Sequence, residues 1–268
     1  MMTSGLPLAG RTAVVTGVSR RRGIGYAVAR RLAEMGAGLM VHHHQAHDRD
    51  QPWGADDLLE VTHGLRDALS PGARLGDVAA DLAEPTAAGE VIEAALDAFS
   101  HVDILVCNHA RSGGDGPLGE VDAAMLDGHW QVNARSTLLL TQAFAAQHDG
   151  RPGGRVIWMT SGQHLGAMRE VAYAASKGAL VGALRSVADE LVDRGILLNA
   201  VNPGPVNTGY LDEETTDRAE RLDQLRAAFP LGRFGEPDDP ARLVAWLVSD
   251  EGRWVVGQVI DSEGGFRR

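Results

Sequence analysis

Short apolar runs alternate along the chain with longer stretches in which apolar residues recur every three or four positions. Residues 12–16, 39–42, 74–79, 102–107, 155–159, 197–201 and 258–261 are short segments, most of them rich in Val, Ile and Leu, and read as strands. Between them, residues 24–35, 56–69, 85–99, 126–147 and 171–192, and a stretch after Pro237, carry the helical period. Ile24, Val28, Leu32 and Met35 mark the first of these, and Gly36 follows as its stop. The 102–107 run has little polar alternation, as expected of a strand covered on both faces. Regular strand–helix alternation predicts an α/β architecture, a doubly wound parallel sheet with helices on both faces.

No linker or repeat divides the 268 residues, so residues 1–268 are expected to form one domain. The acidic, polar segment 205–230 is read as an insertion beyond a strand's carboxyl end, where ligands bind in such sheets. Lys and Arg number 25 against 36 Asp and Glu, a net charge of −11, which argues against a nucleic-acid or anionic-membrane partner. The one cysteine, Cys107, cannot form an intrachain disulfide and fits a reducing compartment. The first ten residues lack a charged-then-apolar leader pattern, and no apolar run reaches the roughly 18 residues of a membrane span. A cytoplasmic protein is expected.

Thr16-Gly17-Val18-Ser19-Arg20-Arg21-Arg22-Gly23-Ile24-Gly25 joins the first strand to the first helix. A pyrophosphate needs close backbone approach, free N–H groups and the positive end of a helix dipole, and glycines permit all three. Glycines also occupy such turns for steric reasons alone; the strand before and the helix after favour the phosphate. Arg20, Arg21 and Arg22 inside the loop of an acidic chain point the same way. About 20 residues on, where an NAD site places Asp or Glu on the ribose, the chain reads His42-His43-His44, and the nearest acid is Asp48. With no carboxylate to repel a 2′-phosphate, NADP(H) is the expected cofactor, NAD(H) remaining possible, and His42 is a candidate contact at the adenosine end. Adjacent histidines on a strand alternate faces and cannot converge on one metal, so no metal site is expected.

Tyr173 and Lys177 lie one helical turn apart and share a face. A nearby ammonium is expected to pull the phenol down from about 10 toward a working pH, where proton exchange is efficient. An ordinary surface pair is the plain alternative. Thr160-Ser161 follow the 155–159 strand, so a hydroxyl there points into the crevice. Ser161 is the candidate to hold a substrate oxygen as charge develops, a turn-capping serine being the plain alternative.

In order along the chain, these fragments resemble the short-chain dehydrogenase/reductase family, nearly end to end. The resemblance is carried by Thr16-Gly17…Gly23-Ile24-Gly25, Asp81-Leu82, Cys107-Asn108-His109-Ala110, Asn133, Ser161, Tyr173…Lys177 and Asn202-Pro203-Gly204-Pro205-Val206…Thr208. The closing stretch, Gly232-Arg233-Phe234-Gly235-Glu236-Pro237 through Gly257-Gln258 to Glu263-Gly264-Gly265-Phe266, resembles its 3-oxoacyl-carrier-protein reductase-like members. The resemblance implies a Rossmann fold and a set of roles. Tyr173 would exchange the proton, Lys177 would tune it and bind the nicotinamide ribose, Ser161 would hold the substrate oxygen, and Asn133 would order a water leading to Lys177. Asp81, beside Leu82, would contact the adenine and Asn108 the adenosine side. Thr208, with Val206, would hold the carboxamide, and Pro203-Gly204 would shape the backbone beside the nicotinamide.

Three departures are visible, one of them a Ser161-to-Tyr173 spacing one residue shorter than the family's, which leaves Thr160 as the alternative to Ser161. Five residues separate Gly17 from Gly23 where the family has three, a length shared with the enoyl-carrier-protein reductases. Those space their tyrosine and lysine by six residues, but the position seven after Tyr173 is Leu180, so the carbonyl-reductase spacing is the one present. His109-Ala110 replace the family's Ala-Gly, which could turn a ring toward the cofactor. The implied activity is hydride transfer between nicotinamide and a small-molecule carbonyl or alcohol, in a homo-oligomer, tetramer or dimer. An enoyl-reductase-like enzyme and a non-catalytic nucleotide-binding regulatory module are the competing readings; the presence of Asn133, Ser161, Tyr173 and Lys177 weighs against the module. Tyr210, Leu211 and Phe229 are read as packing residues that could also line an apolar pocket. No basic cluster for a carrier protein stands out in that segment.

Overall fold

The computed structural model describes residues 5–162, 169–216 and 222–267. Its strands are β1 (Thr12–Val15), β2 (Gly38–His43), β3 (Leu75–Ala79), β4 (Ile104–Cys107), β5 (Gly154–Met159), β6 (Ile196–Asn202) and β7 (Val259–Asp261). They form one parallel sheet in the order β3-β2-β1-β4-β5-β6-β7. The order reverses between β1 and β4, which opens a crevice at their carboxyl ends.

Alternate strand residues feed two separate cores, which is why these strands read as bare apolar runs. Ala13, Val15, Leu39, Val41, Ile104 and Val106 face helices α1 (Ile24–Glu34), α3 (Leu58–Arg66) and α9 (Asp238–Val248), through Val28, Leu32, Val61, Leu65 and Val244. Val14, Met40, Leu105, Cys107, Val156 and Trp158 face α4 (Ala87–Phe99), α6 (Ser136–Gln147) and α7 (Val171–Val192), through Val91, Leu140, Phe144, Leu180 and Leu184. Each fully buried Val, Leu, Ile or Phe among them stabilises the fold by about 1.5–3 kcal/mol. A short helix, α8 (Leu222–Ala227), lies in the 205–230 segment, of which residues 217–221 lie outside those described.

Two elements differ from the sequence expectation. Residues 126–147 are not one α-helix: α5 (Ala123–His129) passes through a π turn (Trp130–Arg135) into α6. Hydroxyls offset the disturbed ladder there, Ser136 donating to the Val132 carbonyl at 2.5 Å and Thr137 to the Asn133 carbonyl at 2.9 Å. A short helix after β2, α2 (Gln45–Arg49), has no apolar periodicity to announce it and buries no residue. It doubles the chain back toward the glycine loop.

Candidate active site

The glycine loop leads from β1 over the crevice into α1. Gly17 has φ +72°, and a Cβ there would lie 2.8 Å from His109 Cα; a Cβ on Gly25 would lie 2.5 Å from the Gly17 carbonyl oxygen. Asn108 Nδ2 donates to the carbonyls of Thr16 (3.0 Å) and Gly17 (3.2 Å), clamping this turn to the end of β4. The first bond of the helix end runs from Ala27 N–H to the Gly23 carbonyl, so the N–H groups of Ile24, Gly25 and Tyr26 have no partner within the helix. Glycines at van der Waals limits and an open helix end form a cradle that fits a dinucleotide pyrophosphate.

The three arginines are not the open cations that the sequence suggested. Arg20 is nearly enclosed: its Nη2 donates to the Thr208 carbonyl at 2.7 Å, its Nε pairs with Asp48 at 3.2 Å, and its guanidinium lies 5.1 Å from the centre of the Trp53 ring. Arg21 pairs with Glu60 at 2.8 Å and Arg22 with Asp212 at 2.7 Å, both in solvent. Carboxylates therefore do stand beside the loop, because α2 carries Asp48 back to it. Ser19 is buried, and its Oγ accepts from His44 N–H at 3.4 Å.

His42 also turns inward. Its Nδ1 accepts from Gly17 N–H at 3.3 Å and its Nε2 faces the Ala80 carbonyl at 3.0 Å, so the ring ties the glycine loop to the end of β3. Burial lowers this imidazole from 6.5 to about 4, keeping it neutral. His109 points into the protein rather than toward a cofactor. Its Nδ1 lies 2.7 Å from the Thr16 hydroxyl and its Nε2 2.7 Å from the Ser136 hydroxyl, and burial holds it well below its usual range. This buried polar chain joins the ends of β1 and β4 to the π turn. No motif signals Trp53 as part of the site; it emerges from its contact with Arg20 across the crevice.

The π turn aims Asn133 at the carbonyl ends of the strands, fully buried. Its Oδ1 accepts from Arg111 N–H at 2.7 Å, and its Nδ2 donates to the Arg111 carbonyl (3.2 Å) and the Ser176 hydroxyl (3.0 Å). Its side chain thus orders protein groups. On α7, Lys177 is 2% exposed and donates to the Met159 carbonyl at 2.9 Å, with Nζ 6.0 Å from the centre of the Tyr173 ring. Burial lowers the ammonium to about 8 and pushes the adjacent Cys107 thiol up to about 12.

The expectation of an acidified phenol is corrected. Enclosure pushes Tyr173 above its usual range, and Glu170 and Tyr210 add to the rise; the lysine is aimed at Met159 instead. Tyr210 donates to Glu170 at 3.2 Å, and the His129 ring meets the Tyr173 ring edge-on at 6.3 Å. Thr160 is buried with its hydroxyl unpartnered among the described residues, and Ser161 beside it is half-buried.

Around the crevice, Leu82 is buried, while Asp81 is exposed and accepts from Ala83 N–H at 2.9 Å. Asn202 Nδ2 donates to Asp261 (2.8 Å) and Glu263 (2.7 Å), its Oδ1 accepts from Gly204 N–H (3.1 Å), and Gly204 has φ +66°. This fixes Pro203-Gly204 at the end of β6. Val206 is buried and bridges to Gly235; Thr208 is half-buried. Leu211 and Phe229 are buried, and Phe229 packs on Phe234 and Phe266 while walling a cavity of ≈ 220 Å³ beside Pro203 and Pro205. Among the described residues, no group of His, Cys, Asp or Glu side chains could hold a metal ion, and no helix is long and apolar enough to cross a membrane.

A reversed-order parallel sheet, a glycine cradle at its switch point, and a half-buried tyrosine one turn from a buried lysine define a nucleotide-dependent oxidoreductase fold. A family model described as Enoyl-(Acyl carrier protein) reductase matches residues 17–267, and the chain belongs to the short-chain dehydrogenase/reductase family. It is similar to the Uncharacterized oxidoreductase YjdA of Bacillus subtilis, 38% identical over 96% of this chain and 97% of the relative. It is also similar to the NADPH-dependent aldehyde reductase-like protein, chloroplastic, of Arabidopsis thaliana, at 35% identity over 97% and 96% of the two chains. Among solved structures, the blue fluorescent protein from a metagenomic library, in complex with NADPH, superposes with a TM-score of 0.81. It is 34% identical, over 98% of this chain and 100% of that one.

Proposed function

We propose that this protein is a single-domain, NADP(H)-dependent oxidoreductase that moves a hydride between nicotinamide and a carbonyl or alcohol, with Tyr173 as the proton carrier. The observation that carries the reading is the placement of Tyr173 and Lys177 on one face of α7, beside the end of β5 where Ser161 follows. The NADPH complex of the metagenomic protein and the NADPH-dependent name of the plant relative support the cofactor.

Gly17, Gly23, Ile24 and Gly25 would hold the pyrophosphate; Ser19, Arg20, Arg21 and Arg22 would border the adenosine ribose phosphate, with His42 supporting them. Asp81, Leu82 and Asn108 would line the adenosine, and Pro203, Gly204, Val206 and Thr208 the nicotinamide. Bound there, the nicotinamide supplies the hydride for reduction, or accepts it for oxidation. Tyr173, held protonated by its enclosure, donates its proton to the substrate oxygen as negative charge develops, and Ser161 donates a hydrogen bond to the same oxygen. Lys177 would bind the nicotinamide ribose and would supply positive charge near the phenol left behind. Asn133 fixes the loop after β4 against α7. Residues 205–216 and 222–230 would border the substrate.

The matched family description names an enoyl reductase, but Tyr173 and Lys177 are one turn apart and Leu180 is buried in the core. Carbonyl chemistry is therefore favoured. The test is NADPH oxidation with a panel of aldehydes and ketones, comparing wild type with Tyr173→Phe. Retained NADPH binding with turnover reduced by about 10²–10⁴-fold is expected; equal turnover by both proteins would remove Tyr173 from the mechanism.

A further inference from the structure

Tyr173 is held through its main chain as well as by the helix that carries it. The residue preceding α7, Glu170, makes no side-chain cap. The cap comes instead from Asp115, far away in the sequence, in the loop after β4. Asp115 Oδ2 accepts from Tyr173 N–H at 2.7 Å, and Oδ1 accepts from Ala172 N–H at 3.0 Å and from Gly116 N–H at 2.7 Å. Gly116 adds its carbonyl, which accepts from Val171 N–H at 3.2 Å. On its other side, the Tyr173 carbonyl accepts from the Ser176 hydroxyl at 2.8 Å, and that hydroxyl accepts from Asn133 Nδ2. Both peptide groups of Tyr173 are therefore tied, directly or through one hydroxyl, to elements outside α7.

The charge fits the place. A carboxylate at the N-terminus of a 22-residue helix meets the positive end of its dipole. Partial burial would raise the Asp115 carboxyl, but the N–H groups of Tyr173, Ala172 and Gly116 outweigh it and hold it below its usual range. Asp115 thus stays ionised throughout the neutral range.

We propose that Asp115 is a positioning residue for proton transfer, fixing the height and rotation of α7 so that the Tyr173 hydroxyl meets the substrate oxygen. The proposal rests on the reading of Tyr173 as the proton carrier. It matters because a misplacement of about 1 Å at the reacting atoms costs about a hundredfold in rate, and α7 has no capping bond from Glu170 to hold its first turn.

The experiment compares the full-length wild type with Asp115→Ala and Asp115→Asn by three measurements. They are amide hydrogen exchange in peptides covering residues 171–180, NADPH affinity by fluorescence, and kcat and KM for a carbonyl substrate. In Asp115→Ala, exchange at Ala172 and Tyr173 is expected to rise at least tenfold, with NADPH affinity within twofold of wild type. Its kcat is expected to fall ten- to a hundredfold with KM little changed. Asp115→Asn keeps one acceptor oxygen and is expected to recover part of both effects. Faster exchange with kcat within twofold of wild type would show a structural cap only and overturn the proposal, as would unchanged exchange. If the wild type reduces no carbonyl substrate, it is the functional reading that fails, and exchange still reports the clamp by itself. If Asp115→Ala does not fold, Asp115→Asn carries both readings.

Discussion

Lys177 donates to the Met159 carbonyl at 2.9 Å while its ammonium lies 6.0 Å from the centre of the Tyr173 ring, so the cation is tethered to the sheet and not to the phenol. Its energetic consequence follows from burial, which lowers it from 10.5 to about 8. Between those values the unfolded chain binds the proton and the folded chain does not, so this group's contribution to stability rises with pH across that window. Below it, the folded state carries the full cost of a buried charge.

Lys177→Met is therefore expected to be more stable than wild type at pH 7, by about 1–3 kcal/mol, and to lose turnover by at least about a hundredfold. The gain should shrink between pH 8 and 10.5. Urea unfolding at pH 7, 9 and 10.5 checks it; a variant weaker than wild type at pH 7 contradicts the buried-charge account.

His42 and His109 are both neutral in the fold, lowered chiefly by burial. A depressed imidazole stabilises the fold fully above its unfolded value near 6.5, and that stability is lost as pH falls toward the folded value. For His42 the drop from 6.5 to about 4, at about 1.4 kcal/mol per unit, bounds the loss near 3 kcal/mol. His42→Leu should therefore give a flatter stability curve between pH 6.5 and 4 than wild type. Parallel curves for the two proteins would count against it.

Arg20 and Arg22 separate buried from exposed pairing. The Arg20 and Asp48 side chains are 11% and 14% exposed, whereas Arg22 is 59% exposed. Removing Arg20 strands Asp48 and the Thr208 carbonyl, so Arg20→Ala should cost about 2–3 kcal/mol and weaken NADPH binding. Arg22→Ala should cost under about 1 kcal/mol. Thermal unfolding of both variants, with the order reversed, would refute the latch between the glycine loop and Thr208.

Gly17 and Gly10 both have positive φ, but only Gly17 meets atoms within 4 Å of an added Cβ. Gly10→Ala should show the left-handed backbone cost alone, about 1–2 kcal/mol. Gly17→Ala should exceed it and also weaken NADPH binding at least tenfold, because His109 Cα and Asn108 must move. Equal stability loss and unchanged binding would mean that the cradle relaxes freely.

Much of this was legible in the sequence. The strands carry a period-free apolar signal because both faces are buried, so Val14 and Val15 look alike although they enter different cores. Gly17, Asn108, Asn133, Tyr173 and Lys177 were legible because their spacing resembles a known family. What was hidden is tertiary. Asp48 looked remote from the arginines until α2 folded back, the lysine looked aimed at the tyrosine because a helix face says nothing about Met159, and Asp115 caps a helix that sequence separation conceals. The π turn was invisible because hydrophobic periodicity continues on both sides of it.

That π turn has a consequence for the whole rod from Ala123 to Gln147. An extra residue in one turn sets every following side chain back by about 100°, so it acts as a phase shifter. His129 before it is aligned with the Tyr173 ring, while Leu140 and Phe144 after it are aligned with the apolar layer under the sheet. One continuous rod can thereby serve two surfaces whose bearings no single α-helical screw would match. Deleting one residue within 130–135 would put either the His129–Tyr173 contact or the hydrophobic interior out of step.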